Sequence, residues 1–113
     1  MNDKVKITFV LPQTLHLELK KKVVEDGYDM KGKSRWVSEA INALLAMESF
    51  PEFVKINDVM RGFEKLESVV ISKALKKELD AAIINVRKVY PEINGVQSRI
   101  MRTAIVQRLI RIS

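Results

Sequence analysis

The chain contains no cysteine. That excludes a disulfide framework, a thiolate zinc site and a thiol nucleophile, and it fits a reducing cytosol. There is a single histidine in 113 residues, and the patterns HExxH, GxGxxG and the phosphate-binding Walker loop are all missing. Glu25, Asp26 and Asp29 lie close in sequence but lack the spacing of a calcium loop. The acidic residues are mostly of the helix-surface kind. The expectation is therefore a protein that is not an enzyme and uses no metal and no cofactor. No stretch approaches the roughly 18 apolar residues of a membrane span, and the apolar-leaning run Ile7–Leu11 is too short for a signal peptide. A soluble, cytoplasmic protein without a membrane partner is expected.

What the chain has is positive charge, unevenly placed. The formal net charge is +6. Residues 1–47 carry eight Lys/Arg against six Asp/Glu, residues 48–67 three against five, and residues 68–113 nine against three. A basic excess gathered in one part of a small domain suggests a polyanionic partner, although solubility alone also explains a charge of this size.

The stretch Lys4–Pro12, Lys-Val-Lys-Ile-Thr-Phe-Val-Leu-Pro, alternates. Val5, Ile7, Phe9 and Leu11 share one side, Lys4, Lys6, Thr8 and Val10 the other. Period two predicts a strand with one buried face. Pro12 has no N–H for a ladder and suits the first turn of a helix. Leu15, Leu19 and Val23 then repeat at helical spacing, and Gly27 with the polar run Asp29–Lys33 ends that helix. Ser34 reads as the N-cap of a second helix. Trp36, Val37, Ala40, Ile41, Leu44 and Leu45 give that helix a broad apolar stripe ending near Met47. Residues 48–65 form a connection too apolar for a flexible linker, with Ile56, Val59, Met60 and Phe63 spaced for a short helix that Gly62 ends. A shorter extended segment follows over Glu67–Ile71. Ser72 caps a helix carrying Leu75, Leu79, Ile83, Val86 and Tyr90, which Pro91 stops. After the turn Asn94-Gly95, Ser98 reads as the cap of a last helix with Ile100, Met101, Ala104, Ile105, Leu109 and Ile112 on its stripe.

The halves repeat. Leu11–Leu15 matches Ile71–Leu75 at an offset of 60, and Ser34–Ile41 matches Ser98–Ile105 at an offset of 64. The order strand, helix, helix, connection, strand, helix, helix is the most specific signal in the chain. Neither half buries its own strand. Pairing the strands antiparallel over the four helices solves that problem. The expected fold is therefore mostly α with a short antiparallel two-stranded β-ribbon, a single domain over 1–113 with units at 4–47 and 66–113. Whether the strands pair within one chain or between chains is open at this point.

These marks resemble the ribbon-helix-helix, or MetJ/Arc, family: an alternating strand ending in Leu11-Pro12, Leu15 and Leu19 on the first helix, and Ser34-Arg35 and Ser98-Arg99 opening the second helices. In that family two chains usually make the unit. Here one chain holds both copies as an intramolecular pseudo-dimer, similar to the TraY-type proteins of conjugative plasmids, which Phe50-Pro51-Glu52-Phe53 also resembles. The resemblance implies a ribbon in the major groove of double-stranded DNA. Lys6, Thr8, Val10, Ser68 and Val70 would then meet base edges. Lys4, Lys33, Ser34, Arg35, Ser98, Arg99 and Arg102 would meet phosphates near helix starts. Glu67 departs from the pattern by falling on the core-facing side.

Other conspicuous residues take plainer readings. Trp36 lies on the apolar stripe and belongs to the core rather than to a stacking platform. Lys20, Lys21 and Lys22 form a solvated face, and His16 is a surface residue. The resemblance implies sequence-preferring DNA binding as an accessory protein of conjugation, at an origin of transfer beside a relaxase and with self-association on DNA, or as a regulator of its own operon. The alternative is a ribbon-helix-helix repressor or an antitoxin-like interaction module whose connection wraps a partner protein.

Overall fold

The alternating segment finds its mate sixty residues along the chain. The structure, a computed structural model, describes residues 3–29, 32–56 and 64–110. Strand β1 (Lys4–Pro12) pairs antiparallel with β2 (Glu64–Ser72) in a two-stranded sheet. Thr8 stands opposite Ser68, Lys6 opposite Val70 and Val10 opposite Leu66. On the inner face Val5 meets Ile71, Ile7 meets Val69 and Phe9 meets Glu67. Strand β2 begins three residues before the expected Glu67, because the alternation continues backward through Leu66 to Glu64.

Helix α1 (Gln13–Glu25) follows directly, with Pro12 at its N-cap position. Its end has a physical signature: Gly27 adopts φ +85, and the N–H groups of Gly27 and Tyr28 donate to the carbonyls of Val24 and Val23. That pair of bonds closes a helix C-terminus around a left-handed residue, which glycine adopts at least cost. Helix α2 (Lys33–Leu45) starts one residue ahead of Ser34, so Gly32 and not the serine occupies its N-cap position. A β-carbon on Gly32 would lie 2.6 Å from the Tyr28 Cβ, so the α1–α2 connection is tight against its own glycine. The expected loop residues Met30 and Lys31 lie outside the described residues.

Helix α3 (Phe50–Ile56) opens the connection. The short helix expected on Ile56, Val59, Met60 and Phe63, and its end at Gly62, fall largely on residues 57–63, outside the described residues. Helix α4 (Lys73–Val89) is capped as expected, the Ser72 hydroxyl accepting the Leu75 N–H at 3.0 Å. Helix α5 (Val96–Ile110) starts two residues ahead of Ser98. Gly95 precedes it at φ +62 and its carbonyl accepts the Arg99 N–H. Ile112 lies outside the described residues.

The helices cover the inner face of the ribbon. Helices α2 and α5 pack against each other, α5 also on β1 and α2 on β2, while α3 rests on α4 and α5. One apolar core joins Ile7, Phe9, Leu11, Val69 and Ile71 of the ribbon to Trp36, Ile41 and Leu44 of α2 and Ile100, Met101 and Ile105 of α5. Leu19 and Val23 of α1 and Leu79 and Val86 of α4 close its sides. The architecture is thus mostly helical with one antiparallel ribbon. No helix among the described residues is long and apolar enough to cross a membrane.

The two faces of the ribbon make opposite demands. Phe9 is 1% exposed and Leu66 75%. Phe9→Ala should lower stability by about 3–5 kcal/mol through the cavity it leaves, and Leu66→Ala should stay within about 0.5 kcal/mol of the parent. Urea unfolding midpoints check both, and a large loss from Leu66→Ala would contradict the assignment of faces.

Candidate nucleic-acid interface

Strand alternation sends Lys4, Lys6, Thr8 and Val10 to one face of β1, and the register sets Ser72, Val70, Ser68 and Leu66 beside them. Lys4, Lys6, Thr8, Leu66 and Val70 are exposed, and Val10 and Ser68 are half-buried. All five residues expected to meet base edges, Lys6, Thr8, Val10, Ser68 and Val70, therefore share one outward face. Leu66 belongs to that face and was absent from the sequence reading. The signal was available: stepping back two residues from Ser68 continues the pattern.

A two-stranded ribbon leaves one edge of each strand unpaired, and buried or aggregating edges are costly. Here side chains from helix starts satisfy them. The Val70 N–H donates to Ser34 Oγ at 2.9 Å, and the Val10 N–H donates to Ser98 Oγ at 3.3 Å. The Gln97 side-chain amide donates to the Thr8 carbonyl at 3.0 Å. The serines were expected to cap their own helices. Both helices start earlier, so each hydroxyl instead serves a strand contributed by the other half. A hydroxyl accepting one bond still carries a proton to donate.

The residues expected at phosphates divide into two groups. Lys4, Ser34 and Arg35 line a groove of about 480 Å³ with Ser38, Ser72 and the carboxylate-bearing Glu78, where the start of α2 meets the start of α4. Arg35 is exposed, its guanidinium 5.4 Å from the centre of the Tyr28 ring, which suits a cation–π contact. Gly32 at the N-cap position brings no side chain to the first turn of α2, whose leading N–H groups carry the positive end of the helix dipole. The second group is bound up in the fold, a character that Ser34 shares through its bond to the Val70 N–H. Lys33 pairs with Glu67. The Arg99 guanidinium donates to the carbonyls of Val54 at 3.2 Å and Lys55 at 2.8 Å, tying down the end of α3. Arg102 is 8% exposed, with Nη1 3.5 Å from the Val10 carbonyl. Ser98 is bonded to the ribbon edge as described.

Glu67 occupies the inner face at 6% exposure, opposite Phe9. Lys33 reaches one carboxylate oxygen, and His16 Nδ1 lies 2.6 Å from the other. Among the described residues neither His16 Nδ1 nor that second oxygen has another partner. So close an approach of two acceptors requires a proton between them. His16, expected at the surface, is thus 13% exposed and packed into an ion cluster joining α1, α2 and β2. Helical spacing placed it off the apolar stripe, yet the buried carboxylate draws it inward.

A second polar cluster fixes the first turns of α2. Trp36 is fully buried, and its indole N–H donates to Asp26 at 2.8 Å. Arg108 of α5 lies 4.5 Å from the Trp36 ring centre, donates to the Trp36 carbonyl at 2.7 Å and to the Tyr28 hydroxyl at 3.1 Å. Tyr28 in turn donates to Glu39. The cluster clamps the α1–α2 connection, and so the start of α2, to α5. The Asp26 carboxyl is held below its usual range, chiefly by the Trp36 N–H.

Among the described residues no group of three or more His, Asp or Glu is placed to hold a metal. No family model, curated protein or solved structure matches the chain.

The Glu67 cluster carries a pH signature. Burial pushes the carboxyl up, but the Lys33 bond and charge, the Ser68 N–H and the His16 charge outweigh it, leaving Glu67 below 4.5. A carboxyl with a depressed folded pKa adds stability that is present above the unfolded value and is lost as pH falls through the folded one. Stability should therefore decline as pH drops below about 4.5, the ordinary glutamate range, and Glu67→Gln should remove part of that decline. Urea midpoints measured across this window test it; an unchanged acid limb in the variant would contradict it.

Proposed function

We propose that the chain is a tandem ribbon-helix-helix protein, its two β-α-α halves forming an intramolecular pseudo-dimer that binds double-stranded DNA with sequence preference. One observation carries the reading. The strand offset of 60 maps the pair Lys6–Val70 onto Leu66–Val10, which is itself a pair in the ladder. The same offset, with 64 for the helices, maps the Ser34–Val70 bond onto the Ser98–Val10 bond. Register and edge contacts thus repeat with the sequence, about a centre at Thr8 and Ser68.

The chemistry follows from that arrangement. A two-stranded ribbon fits the B-DNA major groove. Lys6 donates to guanine O6 or N7, Thr8 and Ser68 exchange bonds with several base edges, and Val10 and Val70 touch thymine methyl groups. Lys4, Ser34 and Arg35 face the backbone from the groove at the start of α2, which sets register and adds salt-dependent affinity. The second half contributes less to the backbone, since Arg99 and Arg102 serve the protein. Two uses accommodate such a protein: an accessory role at an origin of transfer beside a relaxase, and repression of its own operon. Relaxase or secretion genes beside its gene favour the first.

Binding to a duplex selected from a random pool should weaken steeply between about 50 and 200 mM salt. Arg35→Ala should weaken all duplexes alike and reduce the salt slope by about 1, whereas Lys6→Ala should cost about 1–3 kcal/mol on the selected duplex and little on random ones. Fluorescence anisotropy titrations measure each. A flat salt response, or no preference for any duplex, would contradict the reading.

A further inference from the structure

The outward face of the ribbon is divided along its length. At one end stand Lys4 and Lys6, opposite Ser72 and Val70. At the other stands Val10 opposite Leu66, with Glu64 beyond it opposite Pro12. Leu66 is 75% exposed and Val70 43%. Isolated exposed leucines are ordinary, but this one adjoins a valine across the ladder, on a face the fold leaves uncovered. Nothing in the core requires an apolar side chain there, because the inner face is already filled by Ile7, Phe9, Leu11, Val69 and Ile71. Equivalent positions also differ in kind: Lys6 and Leu66 occupy the same place in the two halves, sixty residues apart.

We infer that the ribbon reads a DNA site of unlike ends, with Lys6 taking a guanine at one end and Leu66, together with Val10, taking thymine methyl groups at the other. This rests on the DNA-binding reading above and adds its sequence content. The major groove offers two features matched to these side chains: the paired acceptors O6 and N7 of guanine for an ammonium, and the thymine 5-methyl for an apolar group. Lys6 and Val10 are four residues apart, roughly 14 Å at about 3.4 Å per residue. That equals the rise of roughly four base pairs at about 3.4 Å each. The two determinants therefore lie about three to four base pairs apart, in one orientation only. Leu66 is a specificity-determining residue in this account, and its removal leaves the fold intact because its side chain lies outside the core.

The test starts from duplexes selected by the parent protein from a random pool. Each thymine of the selected site is then replaced by uracil, which lacks the methyl, and each guanine by 7-deazaguanine, which lacks the N7 acceptor. Affinities are measured for the parent, Leu66→Ala and Lys6→Ala, with urea midpoints confirming that both variants fold. The inference expects uracil to weaken the parent most at the Leu66 end, where Leu66 and Val10 stand together against the single Val70 at the other, by about fourfold per methyl, the scale of one buried methyl-sized group. Leu66→Ala should lose that sensitivity and keep the deazaguanine penalty; Lys6→Ala should do the converse. If the parent prefers a sequence but uracil acts equally at both ends, or acts unchanged in Leu66→Ala, the inference fails and DNA binding stands. If no duplex is preferred over random DNA, both fail together. If sedimentation shows a dimer in free solution that Leu66→Lys dissolves, Leu66 is an interface between copies and the inference is overturned.

Discussion

A two-stranded ribbon is a poor structure by itself: it has two open edges and one face that water does not favour. This chain closes each edge with a serine hydroxyl brought by a helix of the opposite half, Ser34 to the Val70 N–H and Ser98 to the Val10 N–H. The contacts hold the starts of α2 and α5 against the ribbon, beneath which the two helices pack on each other. From that follow the burial of Phe9 and Ile71, the packing of α2 on α5, and the outward presentation of Lys6, Thr8 and Val70. Loosening the serines would free the ribbon from the helices that give it a single orientation.

The halves share a plan but not a surface. The start of α2 holds Lys4, Ser34 and Arg35 around an accessible groove. The start of α5 uses Arg99 to fasten α3 and Arg102 within the core side of β1. The connection accompanies the difference: among the described residues, α3 packs on α5 and Arg99 reaches its end. Glu67 marks a further difference: sixty residues before it stands Ile7, an ordinary core residue. A carboxylate there requires Lys33 and His16 to neutralise it, so the first half supplies the charges that make the second strand tolerable. The cost of removing such charges from water can match their mutual attraction, so a buried ion cluster is by itself weak evidence of net stability.

Much of the architecture was legible in the chain because its two periodicities are clean. Period two over Lys4–Pro12 gave both faces of β1, and the spacing of Trp36 to Leu45 placed α2 in the core. Glycine and proline marked the breaks at Gly27, Asn94-Gly95 and Pro91. The helix starts were less legible. Ser34 and Ser98 have the composition of N-caps, and that local rule lost to the edge of a strand distant in sequence. Charge was the least legible feature. Arg99 and Arg102 look like surface residues until α3 and β1 are in place, and His16 moves inward only because Glu67 is buried. A sequence shows where charges are, whereas their partners depend on contacts over tens of residues.

The absence of cysteine makes the decisive measurement simple, because a single introduced thiol is unique. Thr8→Cys, at the centre of the ribbon, carries a DNA-cleaving iron chelate; Leu17→Cys, on the exposed side of α1, carries the same chelate as the comparison. On a selected duplex, the account predicts strong cleavage from position 8, confined to the bound site and staggered in the sense of a major-groove source, with little from position 17. Cleavage staggered in the minor-groove sense, or no stronger from position 8 than from position 17, would contradict the claim that the ribbon is what meets DNA.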